Sequence, residues 1–128
     1  MAKQIKTFQQ RQTWHDFTRY LIATNGASIQ LDLFPQKMRF GDWNGGGTAF
    51  IYALWVIEGY RKRGHATVLL DKAEEITREA GHKSVFLEWA SKDTPTEILD
   101  WYKRRGYCES EVVIDDNGEE IILLEKKL

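Results

Sequence analysis

Residues 48–66 read TAFIYALWVIEGYRKRGHA, and this stretch decides the fold. Its first part, residues 48–56, is β-branched, aromatic and apolar on both alternating faces, which is typical of a strand covered on both sides. After residue 65, apolar residues recur at spacings of three and four as far as Gly81, with charged residues between them. That spacing indicates an amphipathic helix. The sequence therefore predicts a strand that leads into a helix through a basic turn containing glycine.

The turn itself, Arg61-Lys62-Arg63-Gly64-His65-Ala66, has the features of an anion-binding site. The first N–H groups of a helix lack carbonyl partners, and the positive end of the helix dipole lies behind them. A phosphate or pyrophosphate fits such a position. Neither the Walker pattern nor the dinucleotide-binding glycine pattern occurs in the sequence, so these two kinds of phosphate-binding loop are excluded.

A second block follows at residues 84–107. Residues 84–89 predict a strand, and Thr94-Pro95-Thr96-Glu97 matches a capping box, with Thr94 as the N-cap and Pro95 at the first helical position. We expect the helix to continue to Arg105 and Gly106 to end it in a left-handed conformation.

Two segments resemble the GNAT acetyltransferase superfamily. The pattern Arg61-x-x-Gly64-x-Ala66 is similar to the loop with which that family binds the pyrophosphate of acetyl-CoA. Residues 101–107, WYKRRGY, are similar to the family's Phe-Tyr-x-x-x-Gly-Phe segment, which is the more specific match. The resemblance covers residues 48–128 and fades toward the N-terminus.

The resemblance implies an N-acetyltransferase that moves an acetyl group from acetyl-CoA to a primary amine by direct attack in a ternary complex. The cofactor-binding residues that it implies lie at the end of the central strand and in the turn: Val56, Ile57, Arg61, Lys62, Arg63, Gly64, His65 and Ala66. The sequence departs from the family at Glu58, where a proline is common, and at Pro95 and Ile98, where Asn and Ala are usual. The loss of the Asn amide shifts coenzyme binding toward backbone contacts.

Tyr102 and Glu88 are the candidate catalytic residues. The resemblance implies that Tyr102 acts as general acid toward the departing thiolate, since a tyrosine pKa near 10 leaves its proton available at neutral pH. Tyr102 also fits the apolar stripe of its helix and so could be a core residue. Glu88 alternates with Leu87 and Trp89 and faces away from them. It is either a base or binding group for a cationic acceptor, or a partly buried acid paired with a nearby base.

The composition predicts a single domain, residues 1–128, with a shortened N-terminal part. The chain has 128 residues, 42% of them hydrophobic, which is enough for one core. Its net charge of −1 gives no argument for a nucleic-acid or anionic-membrane partner, and no apolar run approaches the ~20 residues that span a bilayer. One cysteine and three unclustered histidines argue against a disulfide and a metal site. We therefore expect a cytoplasmic protein, with a homodimer left open.

The predicted fold class is α+β, with a mixed, largely antiparallel central sheet flanked by helices. Residues 10–24 predict a helix, and residues 27–33 and 37–43 predict short strands that precede the central strand. Near the C-terminus, Asn117-Gly118 between apolar runs predicts a hairpin.

Two other functions are open at this stage. One is a non-catalytic GNAT-like module that binds acyl-CoA or a protein, which would account for the lack of a clear base. The other is a nucleic-acid-binding domain that uses the two basic runs, residues 61–63 and 103–105, although no aromatic residues interleave with these runs as a stacking platform requires.

Overall fold

A computed structural model describes residues 5–35, 48–92 and 94–128 of the chain. Within these residues the backbone forms seven strands and two helices. In chain order they are β1 (Phe8–Thr13), β2 (Thr18–Ala23), β3 (Ala27–Phe34), β4 (Thr48–Val56), α1 (His65–Glu79), β5 (Ser84–Ala90), α2 (Thr96–Arg104), β6 (Cys108–Ile114) and β7 (Glu120–Lys127).

The strands form one sheet in the order β1-β2-β3-β4-β5-β7-β6. Every neighbouring pair is antiparallel except β4 and β5, which are parallel. A parallel pair needs a crossover connection, and here α1 provides it. The predicted α+β class with a mixed, largely antiparallel sheet is confirmed.

Both helices pack on the same face of this sheet. The main apolar core joins Leu70 of α1 and Leu99 of α2 to strand residues such as Leu31 and Leu87. The opposite face, which we call the open face, carries a small cluster formed by Phe50, Phe86 and Leu123, to which neither helix contributes. The helices predicted to flank the sheet therefore lie on one side of it.

The helix predicted over residues 10–24 is wrong. β1 and β2 occupy this region as an antiparallel hairpin in which Phe8 pairs with Ala23 and Thr13 pairs with Thr18.

The apparent helical spacing in this region combines a turn with a strand. Trp14 and Phe17 lie in the turn of the hairpin, where their rings stack at 4.8 Å and the Trp14 N–H donates to the Phe17 carbonyl at 2.8 Å. In β2, Ile22 is fully buried in the core while its neighbour Leu21 is exposed. Such alternation belongs to a strand. A window that spans both the turn and the strand hides it.

The predicted strands on either side of this hairpin's partner have different outcomes. Residues 27–33 are confirmed as part of β3, which pairs directly with β4. The strand predicted over residues 37–43 lies outside the described residues. The C-terminal hairpin is confirmed, with β6 and β7 joined by a turn at Gly118, whose φ is 78°.

The predicted capping box of α2 is wrong by one residue. Pro95, with φ −60° and ψ 149°, is the N-cap, and the helix begins at Thr96 without a side-chain cap. The N–H of Thr94 donates to the Ala90 carbonyl at 3.1 Å, so Thr94 belongs to the turn after β5. Gly106 ends the helix with φ 100°, as predicted.

A buried carboxylate connects the two helices and β7. Glu74 of α1 is 4% exposed and accepts hydrogen bonds from the Tyr107 hydroxyl and from Lys126 Nζ, each at 2.8 Å. Arg105 at the end of α2 lies 4.0 Å from the same carboxylate. This network holds the C-terminal end of α2 against α1.

Replacing Glu74 by alanine should lower the free energy of unfolding by about 3 kcal/mol, because two cations and a hydroxyl lose their shared buried partner. The matched control is Glu75→Ala on the exposed side of the same helix, where the ion pair to Lys72 at 3.6 Å should contribute less than about 1 kcal/mol. Urea unfolding of both variants measures the difference. Equal losses would show that the buried network does not stabilise the fold.

Candidate active site

A gap opens in the sheet between the two parallel strands. β4 and β5 pair over a short length that ends at Ile51 and Leu87. The remaining residues of both strands, 52–56 and 88–90, are not paired with each other. Ala53 has φ 57°, and the register of β4 against β3 shifts at this level, so β4 bends where its pairing with β5 ends. The carboxyl ends of the parallel pair therefore leave main-chain groups available to a ligand.

The predicted anion-binding turn lies beyond the end of β4. Gly64, with φ 87°, is the N-cap of α1, and Lys62 also has a positive φ of 63°. The Val68 N–H makes the first bond of the helix, to the Gly64 carbonyl at 3.1 Å, so the N–H groups of residues 65–67 have no partner within the helix. The turn is exposed, and a Cβ built on Gly64 would contact only Ile5 Cδ1, at 3.7 Å. The turn is open to solvent.

His65 anchors this turn through its side chain. Its Nδ1 lies 2.7 Å from the Thr24 hydroxyl, and the Tyr60 ring meets its ring edge-on at 5.3 Å. The Tyr60 ring also packs on Gly26, where an added Cβ would lie 2.2 Å from the ring. The turn between β2 and β3 thus fixes the start of α1. Sequence reasoning did not identify Thr24 or Tyr60, because their partner is distant in the chain.

The two residues predicted to bind the pantetheine arm differ in their main-chain contacts. The Ile57 N–H donates to the Gly26 carbonyl at 2.8 Å, and the Ile57 carbonyl accepts from the Tyr60 N–H at 2.9 Å. The Val56 carbonyl accepts from Nε of the exposed Arg61 at 3.3 Å. Of the two residues, Val56 is the one whose main chain a ligand could reach by displacing a flexible side chain.

Tyr102 lies on the helix-bearing face of the sheet and is 8% exposed. Its ring packs against Trp101 and Tyr107, with centroids at 5.3 and 5.9 Å. Burial raises the pKa of the Tyr102 hydroxyl to about 12. Of the hydrogen bonds found in residues 5–35, 48–92 and 94–128, none involves this hydroxyl, so its proton is available to a ligand.

Glu88 lies on the open face, beside Phe86 and just beyond the last pair between β4 and β5. It keeps access to solvent, but partial desolvation raises the pKa of its carboxyl above the ordinary value. The described part of the chain contains no cation paired with it. Glu88 and Tyr102 therefore approach the gap from opposite faces of the sheet.

One further polar side chain at the gap was missed by the sequence reasoning. Tyr52 is the first residue of β4 beyond the pairing with β5, and it shares the open face with Phe50 two residues before it. Alternation along the strand places the two residues together, but only the end of the pairing shows that Tyr52 lies at the gap.

Metal and membrane features were also assessed in the described residues. In those residues no group of three or more His, Cys, Asp or Glu side chains could hold a metal ion. Neither α1 nor α2 is both long and apolar enough to cross a bilayer.

Comparison with solved structures found many chains of the same fold. Arabidopsis thaliana NAA60 in complex with acetyl-CoA has a TM-score of 0.69 at 16% identity, with 90% of this chain and 78% of that chain covered. The same protein in complex with a bisubstrate analogue gives 0.68 at 15% identity, with 88% and 75% covered. A GNAT family acetyltransferase from Elizabethkingia anophelis with acetyl-CoA bound gives 0.63 at 15% identity, with 95% and 98% covered. At these identities the similarity shows the fold alone.

Comparison at the level of sequence gave one result. A search of curated protein sequences found no significant match. The model of the acetyltransferase (GNAT) family matches residues 9–107, which include the gap, the basic turn and both helices. The chain therefore belongs to the acetyltransferase (GNAT) family.

Proposed function

We propose that this protein is an N-acetyltransferase that moves an acetyl group from acetyl-CoA to a primary amine by direct attack in a ternary complex. The observation that carries the proposal is the coincidence of two features at one end of the sheet. The gap between β4 and β5 opens there, and the exposed N-terminus of α1 follows directly after β4. The carboxyl ends of parallel strands are the usual place for ligands in such sheets.

The donor binds along β4 and across the start of α1. Its pyrophosphate accepts hydrogen bonds from the main-chain N–H groups of the turn, and nearby side chains add positive charge: Arg61, Lys62, Arg63, Gly64, His65 and Ala66. The pantetheine arm follows the unpaired edge of β4 toward Val56, and Ile57 contributes its exposed side chain. Arg61 leaves the Val56 carbonyl and turns toward the phosphates, an exchange that costs little because its present bond is exposed.

The acetyl group passes through the gap from one face of the sheet to the other. Glu88 takes a proton from the ammonium form of the acceptor, and the free amine attacks the thioester carbonyl carbon from the open face. The C–S bond breaks as the amide forms. Tyr102 protonates the departing thiolate from the opposite face, then regains a proton from solvent, to which Glu88 releases its own. The two residues thus act on opposite sides of one tetrahedral intermediate.

The structural relatives support the order of events. NAA60 has been crystallised with acetyl-CoA and with a bisubstrate analogue, a ligand that joins donor and acceptor in one molecule. A site that holds such a ligand has room for both substrates at once. Direct transfer without a covalent enzyme intermediate needs that room.

Calorimetric titration with acetyl-CoA and with CoA tests the proposal, followed by thiol-release assays over a panel of amines. We expect saturable binding of both ligands and turnover with at least one amine. Tight CoA binding without turnover would instead support the non-catalytic acyl-CoA-binding module. No heat with either ligand, together with salt-sensitive binding of an oligonucleotide, would support the nucleic-acid reading.

The pH profile of kcat is a second test, made at saturating amine. The rate should rise with pH as Glu88 ionises, at a pH above the ordinary range because desolvation raises its pKa. It should then stay level to about pH 10, since burial raises the pKa of Tyr102 to about 12 and keeps the acid protonated. Glu88→Gln should remove the acidic limb along with most of the rate. A decline centred below about pH 10 would argue against Tyr102 as the acid.

A further inference from the structure

A buried ion pair lies on the open face next to the gap. Arg19 of β2 donates to both carboxylate oxygens of Asp32 of β3, from Nε at 2.9 Å and from Nη2 at 3.0 Å. Asp32 is 2% exposed. The guanidinium also lies over the rings of Trp14 and Phe17, at 5.4 and 5.3 Å. The bidentate geometry and the two rings leave Arg19 little freedom to move.

This ion pair holds the hydroxyl of Tyr52. The hydroxyl donates its single proton to Asp32 Oδ2 and accepts a hydrogen bond from Arg19 Nη2 at 2.9 Å. A phenol oxygen has two lone pairs, so one remains. Toward any further ligand, Tyr52 can therefore only accept a hydrogen bond.

The register of the sheet places Tyr52 and Glu88 on the two sides of the gap. Phe50 pairs with Phe86 in the parallel ladder, and Tyr52 and Glu88 each follow two residues later on the open face. An ionised carboxylate accepts hydrogen bonds but donates none. Both walls of the gap thus offer acceptors alone to a group that enters from the open face.

We propose that Tyr52 is an acceptor-binding residue, that Asp32 and Arg19 are positioning residues that fix its hydroxyl, and that Tyr52 and Glu88 together select the ammonium group of a cationic amine. This inference rests on the proposed function and adds the acceptor's entry face and charge. An ammonium presents three donors, which suits a pair of acceptors. An anionic acceptor would meet only oxygen lone pairs there.

Steady-state kinetics of the full chain with acetyl-CoA test the inference, with spermidine, an unblocked peptide and an N-acetylated lysine peptide as acceptor probes. Tyr52→Phe should raise the KM of the acceptor about tenfold or more, the effect of losing one hydrogen bond to a charged group, and leave the KM of acetyl-CoA unchanged. Asp32→Asn should raise the acceptor KM in the same direction. The double variant should lose no more than the larger single loss, because both changes act through one hydroxyl.

The control is Tyr20→Phe, which removes a hydroxyl from the helix-bearing face and should leave both KM values unaltered. If Asp32→Asn fails to fold, Tyr52→Phe decides the question alone, since it keeps the ring in place. An active wild type whose acceptor KM is the same in Tyr52→Phe would overturn this inference and leave the proposed function standing. A wild type that binds acetyl-CoA but acetylates no amine would overturn the proposed function, and the inference with it.

Discussion

Replacing Tyr102 by phenylalanine should lower kcat by about 100-fold or more, which is the usual contribution of a general acid in its transition state. The thiolate would leave without a proton donor, because no other hydroxyl in the described residues is known to reach the gap from the helix-bearing face. The dissociation constant of CoA should change little, since the ring remains in the core against Trp101 and Tyr107. Thiol release measures kcat, and calorimetry measures the affinity.

Tyr107→Phe is the matched control for this variant. Tyr107 is also buried, at 1% exposed, but its hydroxyl donates to Glu74 within the protein. Its loss should reduce stability by about 1 kcal/mol and leave kcat near that of the wild type. A Tyr102→Phe variant with normal turnover would remove the general-acid assignment.

Replacing Gly64 by valine should weaken acetyl-CoA binding by at least about tenfold, or 1.4 kcal/mol. The added side chain would stand where the diphosphate must approach the N–H groups of the turn. Within the protein it meets only Ile5, so crowding does not threaten the fold. The positive φ of 87° adds backbone strain, on the order of 1–3 kcal/mol, which lowers stability as well.

Gly81→Val separates the strain from the loss of binding. Gly81 has φ 89° and no atom within 4 Å of an added Cβ, and it lies beyond the opposite end of α1. Both variants should therefore lose similar stability, as thermal unfolding would show. Only Gly64→Val should lose affinity for acetyl-CoA, and an unchanged dissociation constant would rule out the contact between the turn and the diphosphate.

Local patterns predicted the region from β4 to β7 because each element there carries its own signals. α1 has an unbroken helical period between a basic turn and Gly81, and Gly106 and Gly118 lie where the chain needs a positive φ. The error over residues 10–24 has the opposite cause. Trp14 and Phe17 belong to a turn, and only pairing with β3 gives β2 its alternation. Pairing across a sheet cannot be read from one segment.

The candidate site divides in the same way. The anion-binding turn, Glu88 and Tyr102 were named from the sequence because each lies within a motif or at a strand end. Tyr52, Asp32 and Arg19 were not, since they come from three strands and meet only through the register of β2, β3 and β4. The distinct roles of Val56 and Ile57 likewise depend on Gly26, which contacts the loop from another turn.

By itself, the sequence determined the strand-turn-helix unit, the family resemblance and the residues of the turn, because hydrophobic period, glycine and capping act over a few neighbouring residues. The tertiary structure alone decided which face of the sheet stays free of helices, where β4 and β5 part, and which side chains meet at that point. These depend on long-range strand pairing, in which the partner of each residue is set by packing of the whole sheet and not by its neighbours in the chain.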